Sequence, residues 1–100
     1  MFVVVLKFSG NRDRAGEHMD GHRAWIEQGF ADGVFLTAGS LRPGQGGAIL
    51  AHNTTPAALR RRVDADPFVA HDVVGAEILD IAPARADDRL AFLLDNADAA

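Results

Sequence analysis

The run Phe2-Val-Val-Val-Leu-Lys-Phe8 constrains the fold more than any other stretch. β-Branched and aromatic residues dominate it and Ser9-Gly10 ends it, which is the pattern of a strand buried on both faces. Such a strand sits in the middle of a sheet, so the rest of the chain must supply neighbours on both sides and a layer to cover them. The run is too short to span a bilayer, lacks a basic leader and is interrupted by Lys7, so it reads neither as a membrane span nor as a signal peptide. A cytoplasmic location follows by default.

The stretch from Asn11 to Gly33 supplies the first covering helix. With Asp13 read as its start, Ala15, Met19, Ile26 and Phe30 recur at intervals of three to four, and His22 falls in the same series. A helix turns ~100° per residue, so these residues form one buried stripe and His22 points inward. Gly29 and Gly33 bracket Phe30 and mark the helix end.

Val34 to Ala38, closed by Gly39-Ser40, reads as a second strand; Ala48 to Ala51, after the turn Pro43-Gly-Gln-Gly-Gly47, reads as a third, antiparallel to it. Thr55 then caps a helix with Pro56 in its first turn and Ala58, Leu59 and Val63 on its apolar stripe, stopped at Asp66-Pro67. The last strand lies within Val73 to Ile81, apolar on one face and mixed on the other.

The order β-α-β-β-α-β predicts an α+β fold of the ferredoxin-like kind, an antiparallel sheet with two helices on one face. Residues 1–83 form this domain, and the Ala- and Asp-rich residues 84–100 read as a C-terminal arm with a short helix around Leu90, Leu93 and Leu94. The sheet face without helices needs a cover, and a homodimer is the simplest one.

At 100 residues the chain is one domain, too small to carry a separate cofactor domain. Its formal charge of −4 gives no electrostatic reason to expect binding to nucleic acid or an anionic membrane surface, both of which need clustered positive charge. With no cysteine there is no disulfide framework and no thiolate nucleophile. Gly44, Gly46 and Gly47 lie in a hairpin turn rather than between a strand and a helix, so they do not cradle a nucleotide phosphate. Arg60, Arg61 and Arg62 spread over ~200° of a helix and form a solvated face rather than one anion site. No cofactor is expected.

His22 is the first candidate for chemistry, because an inward imidazole can hold or release a proton near neutral pH; a core histidine satisfied by backbone is the other reading. In this fold the end of the second helix can border the middle of the first, bringing Asp66 within reach of His22. A carboxylate facing an imidazole fixes its tautomer, and such a pair serves as general base and then general acid. Asp66 is equally readable as a residue that ends a helix before proline, and Asp32 competes with it as partner for His22. His18 and His22 sit ~40° apart on the helix, but two ligands are not a site and no His-Glu-x-x-His pattern is present, so no metal is expected. Phe8, Trp25, Phe35 and Phe68 can line an apolar pocket or belong to the core. Ser40 can add a hydroxyl to that pocket or bond its own backbone in a turn.

His22-Arg-Ala-Trp-Ile26, the strand end Leu36-Thr-Ala-Gly39, and Asp64-Ala-Asp-Pro-Phe-Val69 together resemble the YciI-like (YCII-related) proteins over roughly residues 1–83. The resemblance implies a ferredoxin-like fold, assembly as a dimeric α/β barrel, and a catalytic acid/base pair made by His22 and Asp66; Ser40, Phe68 and Trp25 are the substrate-binding candidates that the residues themselves offer. The family usually has glycine-proline after the second strand, where this chain has Gly39-Ser40. Related proteins on that scaffold include muconolactone isomerases and lyases or dehydrohalogenases of small ring compounds. The expectation is a small cofactor-independent enzyme of the lyase or isomerase type acting on a small cyclic or carbonyl substrate. The alternative is a non-catalytic dimeric module that binds a small ligand or a partner protein, with His22 and Asp66 as a structural hydrogen-bonded pair.

Overall fold

A computed structural model describes residues 1–94. Strand β1 (Phe2–Phe8) is followed by a single 3-10 turn (Arg12–Arg14) and helix α1 (Ala15–Ala31), then by strands β2 (Phe35–Leu41) and β3 (Gly46–Ala51). Helix α2 (Pro56–Asp64), the one-turn helix α3 (Pro67–Ala70) and strand β4 (Val74–Asp80) complete the α+β domain. The sheet order is β2-β3-β1-β4 and every pairing is antiparallel, which is the ferredoxin-like arrangement.

β1 is central, as its composition predicts, but it is not buried on both faces. Val4 pairs with Ile49 and Ile78, and this row, with Phe2 and Leu6, faces the helices. On the opposite face Val3 stands between Leu50 and Leu79, and Lys7 between Gly46 and Gly75. Leu79 there is 44% exposed. The difference arises because both long helices pack on one layer, leaving the odd-numbered positions covered only by their strand neighbours.

Several boundaries differ from the sequence reading: α1 starts at Ala15 after a 3-10 turn rather than at Asp13, and Gly46 and Gly47, read as part of the hairpin turn, pair in β3. β2 continues through Gly39 and Ser40 to Leu41, because those residues pair with Ala48, Gly47 and Gly46 of β3; hydrogen bonding across the hairpin overrides their weak strand propensity. Gly29 does not end α1 but lies inside it, where a Cβ would run into the Phe35 ring. The terminator is Gly33, whose positive φ of 75° suits glycine, with its N–H donating to the carbonyl of Phe30.

Leu59 and Val63 of α2 are fully buried in one core cluster with Val4 and Ile49 of the sheet, which ties α2 to it. Thr55 caps α2, its hydroxyl accepting from the Ala58 N–H at 3.1 Å, ahead of Pro56 at the first helical position. Beyond β4, a 3-10 segment spans Asp88–Leu94 with Leu93 buried and the Phe92 ring 5.5 Å from that of His52. The remaining arm residues, 95–100, lie outside the described residues. Among the described residues no helix is long and apolar enough to cross a membrane.

Candidate active site

Asp66 is held by its own local sequence. Preceding a proline, it is confined to extended backbone (φ −61°, ψ 125°) and becomes the N-cap of α3, its Oδ1 accepting from the Phe68 N–H at 3.1 Å. Its side chain is fully buried. A residue that reads in sequence as the stop of one helix is therefore also the start of the next.

α1 crosses α3 at Gly21, where a Cβ would stand only 3.0 Å from Cγ of Pro67. This approach places the next residue, His22, with Nδ1 2.8 Å from Oδ1 of Asp66. The His22 ring lies flat on that of Phe68, with centroids 4.0 Å apart and planes 4° from parallel. An ionised carboxylate only accepts, so in the pair of neutral imidazole and carboxylate Nδ1 is the donor and Nε2 is left with the lone pair. The second carboxylate oxygen, Oδ2, is buried without a hydrogen-bond partner among the described residues.

The His22 side chain keeps 14% exposure and opens onto a cavity of about 480 Å³ between α1 and the hairpin half of the sheet. Met19, His22, Ile26 and Phe30 form its α1 wall. The stripe expected to be core thus borders a cleft, and Phe30 is 43% exposed. The reason lies across the cleft, where Ala38 and Gly47, on the helix face of the sheet, are too small to fill the space under the helix.

Ser40 and Phe68 line this cavity, as do Phe8 and Leu6. Ser40 belongs to β2, opposite Gly47, and is not in a turn. Trp25, expected among the lining residues, is not one of them. Its indole N–H donates to the Arg62 carbonyl at 2.9 Å and its ring meets Phe35 edge-on at 5.1 Å, which fixes it in the seam between α1 and α2. Phe35 is buried in the core.

Asp32 is engaged elsewhere than with His22. Gln28 donates to it at 2.7 Å and Arg62 pairs with it at 3.0 Å, and these two partners hold its carboxyl below the ordinary carboxylate range. His18 stacks on His71, with centroids 4.0 Å apart and planes 7° from parallel, and its Nε2 is buried without a partner among the described residues. Among the described residues no group of three or more His, Asp or Glu side chains is placed to hold a metal.

Sequence reasoning misses two parts of the arrangement. One is the role of Gly21, for which the adjacent Gly-His dipeptide is the only local signal. The other is the cavity itself, foreshadowed only by the small residues of Ala38-Gly-Ser40 and Gly46-Gly-Ala48 on paired strands.

No protein-family model and no curated protein matches the sequence. Among solved structures, the fold is similar to that of the 5-chloro-2-hydroxyhydroquinone dehydrochlorinase TftG from Burkholderia phenoliruptrix AC1100, in complex with 2,5-dihydroxybenzoquinone. The TM-score is 0.66 at 13% sequence identity, covering 81% of this chain and 93% of that one. The likeness is one of fold.

Proposed function

We propose that this chain is a small cofactor-independent enzyme of the YCII-related kind, a lyase or isomerase that moves a proton on a small cyclic or carbonyl substrate. The observation that carries the reading is the contact between His22 and Asp66 at the edge of an apolar cavity. A buried carboxylate behind an imidazole, with the other ring nitrogen facing open space, is the arrangement that general acid/base chemistry uses.

In this reading, substrate binds against Phe68 and Ser40, and Nε2 of His22 removes a proton next to a carbonyl or a leaving group. In an elimination the C–H pair becomes the new double bond and the leaving group departs with its own electron pair. In an isomerisation the same nitrogen returns the proton at another atom. Asp66 fixes the tautomer and stabilises the imidazolium between the two steps. The solved neighbour is named for removing chloride from a hydroxylated ring, a reaction that these groups are equipped to perform. Residues 1–83 would form the catalytic unit, working as a dimer through the open sheet face, with residues 84–100 as an appended arm.

The test follows the His22 ring by NMR across the neutral pH range in wild type and in Asp66→Asn, alongside turnover of chlorinated hydroquinones and small lactones. A ring that titrates, responds to the Asp66 change and whose replacement in His22→Gln abolishes turnover in a folded protein supports the reading. A ring that stays silent across the range would sink it, and would favour the binding module.

A further inference from the structure

We infer that the cavity selects uncharged ring compounds and turns away carboxylates and phosphates, with Ser40 as the residue that fixes the ring's polar substituent; the inference rests on the acid/base reading of the same site and narrows its substrate class. Among the described residues, His22 and Ser40 are the only polar side chains that line the cavity, and none is a lysine or arginine. The remaining walls are aliphatic, aromatic or backbone, so an anion inside would exchange its hydration for apolar surface.

The charges around the cleft do not repair this. Asp66, directly behind His22, is an acid, so when His22 is protonated the pair is neutral overall and leaves no surplus positive charge for a ligand. Arg12 keeps its charge but holds its guanidinium over the Phe8 ring at 4.3 Å, donates to the Gly44 carbonyl and does not line the cavity. Lys7 projects from the opposite face of the sheet, in register with Gly46 and Gly75. A flat uncharged ring, by contrast, finds apolar walls in Met19, Ile26 and the exposed Phe30 and the Ser40 hydroxyl for a hydroxyl or carbonyl group.

Three probes that share one ring test this: hydroquinone, para-hydroxybenzoate and methyl para-hydroxybenzoate, each titrated into the full chain at neutral pH with backbone and His22 ring resonances observed. Hydroquinone and the methyl ester should perturb Ser40, Phe68 and His22, and bind at least about tenfold more tightly than the carboxylate. The ester separates charge from size. Ser40→Ala should weaken hydroquinone by roughly fivefold, about the worth of one neutral hydrogen bond. Equal or tighter binding of the carboxylate, shifts confined to other residues, or no binding of any probe would overturn the inference. His22→Gln keeps its failure distinct from that of the acid/base reading. If the wild-type chain prefers uncharged rings yet turns none of them over, the catalytic reading falls and the substrate class stands; wild-type turnover of carboxylates that is lost in His22→Gln would do the reverse.

Discussion

Asp66→Ala and Asp66→Asn separate what the carboxylate holds from what its charge does. Oδ1 of Asp66 takes part in two hydrogen bonds, one capping α3 through Phe68 N–H and one with Nδ1 of His22. Alanine removes both. Loss of an N-cap side chain costs about 1 kcal/mol, and removing the partner of a hydrogen bond that involves a charged group costs about 1.5–3 kcal/mol. The two bonds share one oxygen and are not fully additive, so Asp66→Ala should lose about 2–4 kcal/mol. A domain of this length falls roughly 4–8 °C in Tm per kcal/mol, which puts the variant roughly 10–30 °C below wild type. Asparagine retains the acceptor oxygen, the shape and an equally good cap. It also relieves a fully buried carboxylate whose Oδ2 has no partner among the described residues, so its cost should stay near 1 kcal/mol. Thermal and urea denaturation followed by circular dichroism measures both. A loss below about 1 kcal/mol in Asp66→Ala would refute the argument that this carboxylate holds α3 against α1.

Gly29→Ala and Gly16→Ala should move stability in opposite directions. Both gain up to about 1 kcal/mol of helix propensity, but a Cβ at Gly16 meets nothing within 4 Å, while one at Gly29 enters the buried Phe35 ring and costs more than it gains; denaturant midpoints read the difference, and a stabilised Gly29→Ala would contradict the packing. Leu59→Ala, at a fully buried position under the sheet, should lose about 2–5 kcal/mol in urea unfolding, and a loss under 1 kcal/mol would mean that α2 does not anchor the core. Gln28 and Arg62 favour the ionised form of Asp32 in the folded chain. Their contribution is therefore present above the ordinary carboxylate range and disappears as pH falls through the lowered folded value. The Tm gap between wild type and Asp32→Asn should accordingly narrow in acid, and a gap constant from neutral pH down to about pH 3 would exclude this role.

Much of the fold is legible from local pattern. The continuous apolar run of β1, the alternation in β4, the cap made by Thr55 and Pro56, and the three- to four-residue stripe of α1 each depend on neighbours within a turn or two, so the order of elements follows directly. Boundaries are less legible where pairing outweighs propensity, as at Gly39 and Ser40. The role of Gly29 is hidden because its contact, Phe35, belongs to the next element.

Spacing and the family resemblance single out His22 and Asp66, yet nothing local states that they touch. Their contact spans 44 positions and depends on how closely α1 approaches Pro67 at Gly21. The apolar stripe of α1 likewise cannot say whether it meets a filled core or a cleft. That was decided by Ala38 and Gly47, which leave the space opposite His22 unfilled. Trp25 was drawn away from the same space by a carbonyl on α2. The sequence by itself thus determined which elements form and which of their faces are apolar, because periodicity and capping act over a few residues. The tertiary structure alone decided which of those faces close into core and which border a cavity, because that depends on the volumes of side chains brought together from distant parts of the chain.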